Sequence, residues 1–206
     1  LPSNIVYTIT GDGAGNCWFG LSNGIAKYDG KKITSYNRLS ETQNKTFFSS
    51  LHDSRGNTWL GSASGIVMRI KGDTGIKEFK LPALLQNDFI GSMAEDKAGN
   101  IWFATDHGAL KYHDTTFSLF TEKEGLSVNS AQTILCDYEN NIWIGTLGGG
   151  ANLLRNEAFV SYQQKDGLKS VNIACIYQSP SKKGRYYVGT EGNGLYICTQ
   201  SGQHKF

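Results

Sequence analysis

The side chains best suited to chemistry in this chain are four histidines (His52, His107, His113, His204), four cysteines (Cys17, Cys136, Cys175, Cys198) and scattered carboxylates. No CxxC pair is present, and no histidine or cysteine stands at zinc-ligand spacing, so no metal site and no cofactor are expected. Each cysteine lies in or at the end of an apolar run, where a thiol acts as a small hydrophobe. They are expected buried and unpaired. His107, next to Asp106, is the histidine placed on a loop where a site could form; a solvated or backbone-bonded ring is the common alternative. No Ser-His-Asp arrangement, phosphate loop or metal-binding helix motif is visible, and the chain reads as a non-enzyme.

One acidic pattern recurs. Asp12-Gly-Ala-Gly15-Asn16 returns as Asp53-Ser-Arg-Gly56-Asn57, Asp96-Lys-Ala-Gly99-Asn100 and Asp137-Tyr-Glu-Asn140-Asn141. It resembles part of a calcium loop but lacks that loop's further acidic ligands. An aspartate can instead accept from amides two or three residues on, while glycine or asparagine supplies the positive φ of a tight hairpin.

Each of these turns precedes a tryptophan: Trp18, Trp59, Trp102 and Trp143, at steps of 41, 43 and 41 residues. A further 44 residues on, Tyr187 takes the tryptophan place in Arg185-Tyr-Tyr187-Val-Gly189. A period of about 40–45 residues, each with one aromatic hairpin, predicts β-propeller blades. The expected fold is therefore all-β, a single propeller domain over 1–206 with five four-stranded blades. The repeats fall approximately at 1–41, 42–83, 84–126, 127–168 and 169–206.

In the first repeat the strands A to D are expected at Ile5 to Thr10, Cys17 to Leu21, Ile25 to Tyr28 and Ile33 to Tyr36. A small residue follows each tryptophan by two positions, on the same strand face, where it would let the next blade approach. The tryptophans read as core wedges, not ligand platforms. Strand D ends on an aromatic: Tyr36, Phe79 (after a longer turn, Lys71-Gly-Asp-Thr-Gly75), Phe120, Tyr162 and Phe206. Five whole units leave two geometries open, a closed five-bladed ring or an arc of a larger propeller. An arc would expose apolar blade faces and invite association, including a homodimer.

A formal net charge of +2 without an arginine-rich run gives a nucleic-acid partner little support. No apolar stretch is long enough to span a membrane. Starting at Leu1 with no signal peptide, the chain reads as a piece of something longer.

In a four-stranded meander the A–B and C–D turns share one end of the blade, and the B–C turns and D–A connections share the other. The first end carries stereotyped turns. The second carries dissimilar segments, Asn37 to Lys45, Lys80 to Asp88, Thr121 to Ser130 and Gln163 to Ser170, where a scaffold can host recognition. The expected ligand-binding residues there are Arg38, Glu41, Asp106, His107, Lys123, Glu124, Lys165, Asp166, Glu191 and Asn193. Their charged and planar groups suit sugar hydroxyls, uronates or sulfates.

The combination of Leu-Pro-Ser-Asn at 1–4, Asp-x-x-Gly-Asn-x-Trp, Gly108-Ala-Leu-Lys-Tyr112 and Glu124-Gly-Leu126-Ser-Val-Asn129 resembles the two-component regulator propeller repeat across the whole chain. The fifth unit departs from it, with Ser179-Pro-Ser-Lys-Lys-Gly184 for the hairpin and Tyr187 for tryptophan. The resemblance implies the periplasmic sensor region of a hybrid two-component system, found in bacteria that degrade polysaccharides. An oligosaccharide or polysaccharide breakdown product would be its ligand, and neighbouring propeller or immunoglobulin-like domains its partners. The Gly-Asn-φ-Trp-Phe phrase is also similar to streptogramin-inactivating lyases, magnesium enzymes with a catalytic histidine. The histidines here occupy different repeat positions, which makes that reading and a ligand-free interaction scaffold the alternatives.

Overall fold

A computed structural model describes residues 1–206 except Pro2, Asp73, Thr74, Gly202 and Phe206, together with the side chains of 200–206. The expectations placed on Pro2, on the tip of the longer turn and on Phe206 lie outside the described residues. Among the described residues twenty strands form five four-stranded antiparallel sheets: β1 (Val6–Gly11) to β4 (Ile33–Ser35), β5 (Phe47–His52) to β8 (Gly75–Phe79), β9 (Ser92–Glu95) to β12 (Thr116–Phe120), β13 (Ala131–Cys136) to β16 (Ala158–Tyr162), and β17 (Ile173–Gln178) to β20 (Gln203–Lys205). Strand order follows chain order in every sheet. This is the five-bladed all-β propeller arrangement that the repeat period predicts. The first repeat's strands fall within about one residue of the expected bounds. Among the described residues no helix is long and apolar enough to cross a membrane.

Contacts divide the chain into two compact units, Leu1–Glu95 and Asp96–Phe206. The first has a core of Trp18, Ile25, Phe47, Leu60, Met68 and Ile70. The second has one around Trp143, Leu153, Tyr162, Leu168, Ile173, Ile176, Tyr186 and Val188. All four tryptophans are buried, at 1–3% exposure, which fits wedges and rules out ligand platforms. Each packs against the aromatic at the end of strand D in its own blade: Trp18 stacks on Tyr36 at 5.6 Å and Trp143 on Tyr162 at 5.7 Å, Trp102 lies tilted to Phe120 at 5.2 Å, and Trp59 meets Phe79 edge to face at 5.0 Å. Such pairs add about 0.5–1.5 kcal/mol beyond their burial. In the first three blades a strand-C cation sits near the indole: Lys27, Arg69 and Lys111.

The hairpin aspartate ties this stack to the backbone. Asp53 Oδ1 accepts from the amides of Arg55 (3.1 Å) and Asn57 (2.7 Å), while Oδ2 accepts from Asn57 Nδ2 (2.8 Å) and from the indole Nε1 of Trp59 (2.7 Å). Asp12, Asp96 and Asp137 repeat this set with Trp18, Trp102 and Trp143. The backbone donors lie two and four residues on, not two or three as expected. A donor at the fourth position includes the residue whose side chain also reaches back, so asparagine there closes the turn twice.

Adjacent blades meet through two repeated devices. The small residue after each tryptophan admits the next strand A: a Cβ at Gly20 would stand 2.8 Å from the Phe47 carbonyl oxygen, and one at Gly145 would stand 2.5 Å from Ile173 Cγ2. The amide just after each hairpin aspartate then donates to a side chain of the following blade. Gly13 N donates to His52 Nε2 (3.1 Å), Ser54 N to Glu95 Oε2 (2.7 Å), Lys97 N to Asn140 Oδ1 (2.8 Å) and Tyr138 N to Gln178 Oε1 (2.7 Å). His52, Glu95 and Gln178 share one repeat position. Cys136 occupies it in the fourth blade, and Asn140 supplies the acceptor instead.

The cysteines are unpaired, but only Cys198 is buried; Cys17 and Cys136 are half-buried and Cys175 is exposed on β17. Uniform burial was the wrong expectation, because apolar strand patterning does not distinguish a covered blade face from an open one. Burial, aided by Asp137 and Asp96, pushes the Cys136 thiol up to about 11, and burial alone pushes Cys198 up to about 12. Neither is a thiolate at neutral pH.

Replacing Asp53 by alanine strands the amides of Arg55 and Asn57 and the buried indole N–H of Trp59, so Asp53→Ala is expected to lower stability by about 2–4 kcal/mol in urea unfolding. A loss below about 0.5 kcal/mol would refute the role given to the carboxylate. Acid supplies a second test. Burial by itself raises the Asp12 carboxyl, but donors from Asn16, Trp18 and Ala14 outweigh it and hold it at about 2; Asp96 is lowered in the same way by Trp102, Asn100 and Ala98. Folded values below the unfolded value of about 3.9 stabilise above that pH and are lost as pH falls toward 2. Tryptophan fluorescence should report acid unfolding in that window, with a shallower dependence in Asp12→Asn.

Candidate functional site

The D–A connections are built by short helical turns with buried plugs. Residues Glu122–Glu124 and Gln164–Asp166 form 3-10 turns that end in left-handed glycines, Gly125 (φ 105°) and Gly167 (φ 108°). The glycines turn the chain so that Leu126 and Leu168, 3% and 1% exposed, enter the core. Ala83–Leu85 forms a third such turn, with Leu85 buried. The connection after the first blade has no 3-10 helix; buried Thr42 anchors it by donating from Oγ1 to the carbonyl of Tyr36.

Several expected ligand contacts are occupied by this architecture. Glu124 Oε2 accepts from both the amide and the hydroxyl of Thr121 at 2.7 Å, which holds its carboxyl below the usual carboxylate range. Asp166 Oδ2 accepts from the Gln163 amide at 2.9 Å, in the same capping role. Glu41, also lowered, is held by its own backbone amide and by Ser40 Oγ at 3.0 Å. The Lys123 amide donates to Thr121 Oγ1 (3.2 Å). Sequence alone does not separate a capping carboxylate from a ligand-facing one, since both are polar loop positions.

Arg38, Asp106, His107, Lys123, Lys165, Glu191 and Asn193 have exposed side chains. The His107 amide donates to Thr105 Oγ1 (3.3 Å) and the Glu191 amide to the Asn172 carbonyl (3.0 Å), so both loops are fixed through their backbones. Among the described residues no group of three or more His, Cys, Asp or Glu side chains could hold a metal.

In the second unit a hollow of about 410 Å³ opens at this end, lined by Gly148, Gln163, Gln164, Lys165 and Val171. It joins the B–C turn of the fourth blade to the D–A connection that follows. Gly148 has φ 99°, a left-handed turn that glycine adopts without strain. Gln163 Nε2 donates to the Gly149 carbonyl (3.4 Å), and the Gly150 amide donates to Val171 O (2.9 Å), which fixes the floor. Lys165 brings the one expected side chain that lines the hollow. Gln163 and Gln164 were missed; two planar amides beside Lys165 in a variable loop were the available signal. The first unit has a smaller hollow at the same end, about 170 Å³, lined by Gly65, Ile66, Glu78, Lys80, Leu81 and Gln86. There Lys80 Nζ pairs with Glu78 Oε1 at 2.5 Å. The second-unit hollow offers amide donors and acceptors and an exposed cation, the set suited to a hydroxylated or anionic ligand.

Residues 84–107 and 125–148 match the family described as two component regulator propeller. The whole chain superposes on the extracellular domain of a putative hybrid two component system from B. thetaiotaomicron, with a TM-score of 0.80 and 28% identity, covering 29% of that chain. PorZ, a surface component of the type-IX secretion system of Porphyromonas gingivalis, matches 96% of the chain and 32% of its own (TM-score 0.73, 21% identity). Virginiamycin B lyase from Staphylococcus aureus matches 93% and 69% (TM-score 0.71, 17% identity). At those identities the last two show the fold alone. No curated relative matches the sequence.

Glu124→Ala removes the acceptor for the Thr121 amide. Hydrogen exchange at Thr121 should speed up markedly while amides within β12 stay protected; unchanged exchange at Thr121 would contradict the capping role.

Proposed function

Because this chain carries two-component regulator propeller repeats and is homologous to the extracellular domain of a hybrid two-component system, we propose that it is the ligand-sensing part of such a system. Its ligand is an oligosaccharide or another polysaccharide breakdown product, bound without catalysis where the B–C turns and D–A connections lie. The five repeats act as one sensing domain on the periplasmic side of the membrane. The observation that carries this reading is the second-unit hollow, where Gln163, Gln164 and Lys165 stand on a backbone fixed from beneath. A rigid floor with planar amides lowers the ordering cost of binding a polyhydroxylated ring. Arg38, Asp106, His107, Glu191 and Asn193 extend the polar character of the loops, while Glu124 and Asp166 act by shaping them.

Signalling follows from differential packing: a ligand favours whichever arrangement of the loops it binds better, and neighbouring domains of the parent protein read that bias. A second reading, an interaction scaffold, is favoured by exposed apolar side chains on and beside β1 in the first unit (Ile5, Val6, Tyr7, Ile9) and on β17 and β19 in the second (Tyr177, Leu195, Ile197). Such side chains suit a neighbouring blade, a partner protein or a second copy.

A thermal-shift screen against neutral and acidic oligosaccharides decides between the two. The sensor reading expects a selective, dose-dependent rise in Tm, since a ligand that binds only the folded state stabilises it by mass action. Lys165→Ala and Gln164→Ala should cut that rise at least severalfold. A flat panel together with concentration-dependent self-association would favour the scaffold.

A further inference from the structure

A third cavity lies at the opposite end of the blades from the loops, between the first and second blades of the first unit. It measures about 240 Å³ and is lined by Asp12, Gly13, Ala14, Trp18, His52, Gly56, Thr58, Ile70 and Gly72. Its meaning comes from the same place between the fourth and fifth blades. The residue just before the tryptophan position is Thr58 in the second blade and Tyr186 in the fifth. Tyr186 is 3% exposed; its ring packs 4.8 Å from Trp143, and its hydroxyl donates to Asp137 Oδ2 at 2.9 Å.

The two aspartates are otherwise matched atom for atom. Asp137 Oδ2 accepts from Asn141 Nδ2 (2.9 Å), Trp143 Nε1 (3.0 Å) and the Tyr186 hydroxyl. Asp12 Oδ2 accepts from Asn16 Nδ2 (2.8 Å) and Trp18 Nε1 (3.0 Å), and among the described residues no counterpart of the Tyr186 hydroxyl reaches it. Thr58 is too short to supply it and turns its hydroxyl to His52 Nδ1 (3.2 Å). Where the fifth blade places a phenol, the second leaves a cavity beside a carboxylate with an open acceptor position.

We propose that this cavity is a binding site for a small phenol, a single aromatic ring carrying a hydroxyl, which enters beside Trp18 and Ile70 and donates to Asp12 Oδ2 as Tyr186 does to Asp137. The volume admits one ring, and the walls supply one apolar side and one anionic acceptor. His52 Nε2 and the Gly13 amide bound the same cavity, so occupancy would act on the contact that joins the two blades. The site is separate from the loop hollow and does not depend on the sugar-sensing reading.

The probe is 4-methylphenol, the tyrosine side chain itself, titrated into the ¹⁵N-labelled protein. The expected result is a saturable shift of the Trp18 indole and Gly13 amide resonances. Toluene, which lacks the donor, should bind about tenfold or more weakly, since a hydrogen bond to a carboxylate is lost. Thr58→Tyr, which supplies the ring from within, should abolish the shift. Thr58→Ile carries the residue found at this position in the third and fourth blades (Ile101, Ile142), and should abolish it too if the tyrosine variant does not fold. No saturable shift in the unaltered protein overturns the proposal, as does binding that persists undiminished in a folded Thr58 variant or is matched by toluene.

Discussion

The carboxylate–indole contact at each hairpin is the interaction on which the rest of this structure depends. A β-hairpin turn leaves amides that need acceptors, and a buried tryptophan leaves an N–H that needs one as well. One aspartate answers both. Asp53 and Asp137, 4% and 2% exposed, each carry an intact set of donors, which is the condition under which a buried charge is tolerated. The turn geometry and the position of the largest core side chain are thereby set by one group. Once the indole is fixed, its own strand-D aromatic packs against it, and the glycine or alanine two residues on leaves room for the neighbouring strand A.

Blade-to-blade adhesion grows from the same turn. With the aspartate occupied on the inside of the hairpin, the amide that follows it points outward and is taken by the next blade. The acceptor changes chemistry from blade to blade (imidazole, carboxylate, amide), yet the donor does not move. A backbone donor is insensitive to sequence, so only the acceptor position must be kept polar. The fourth blade, where Cys136 replaces it, shows that a nearby asparagine can substitute. At the ends of the series the device stops: Gly11 has no side chain to accept, and Pro180 has no N–H to donate.

This division of labour leaves the two ends of the blades with different freedoms. Hairpin turns carry the structural hydrogen bonds and recur with little variation. The D–A connections need little more than a short turn and a buried anchor (Thr42, Leu85, Leu126 or Leu168), so their remaining positions are released for recognition. Part of that freedom is still spent on shape, as Glu124 and Asp166 show, which is why a list of charged loop residues over-counts ligand contacts.

Legible in the bare sequence were the blade count, the strand bounds of the first repeat, the buried state of the tryptophans and the end of the blades where loops vary. These follow from local periodicity and turn chemistry, which repeat every 41–44 residues and need no partner to be read. Which individual groups meet, within a repeat and between repeats, came only with the folded chain. Which carboxylate caps and which faces solvent, that the indole N–H of Trp18 ends on Asp12, that Cys175 lies open while Cys198 is buried, and that Thr58 leaves open a space whose counterpart Tyr186 fills are all set by groups 3 to 49 residues apart meeting in space. A one-dimensional pattern carries the period of such contacts but not their partners, because the identity of a neighbour depends on packing between strands that the chain brings together only when it folds.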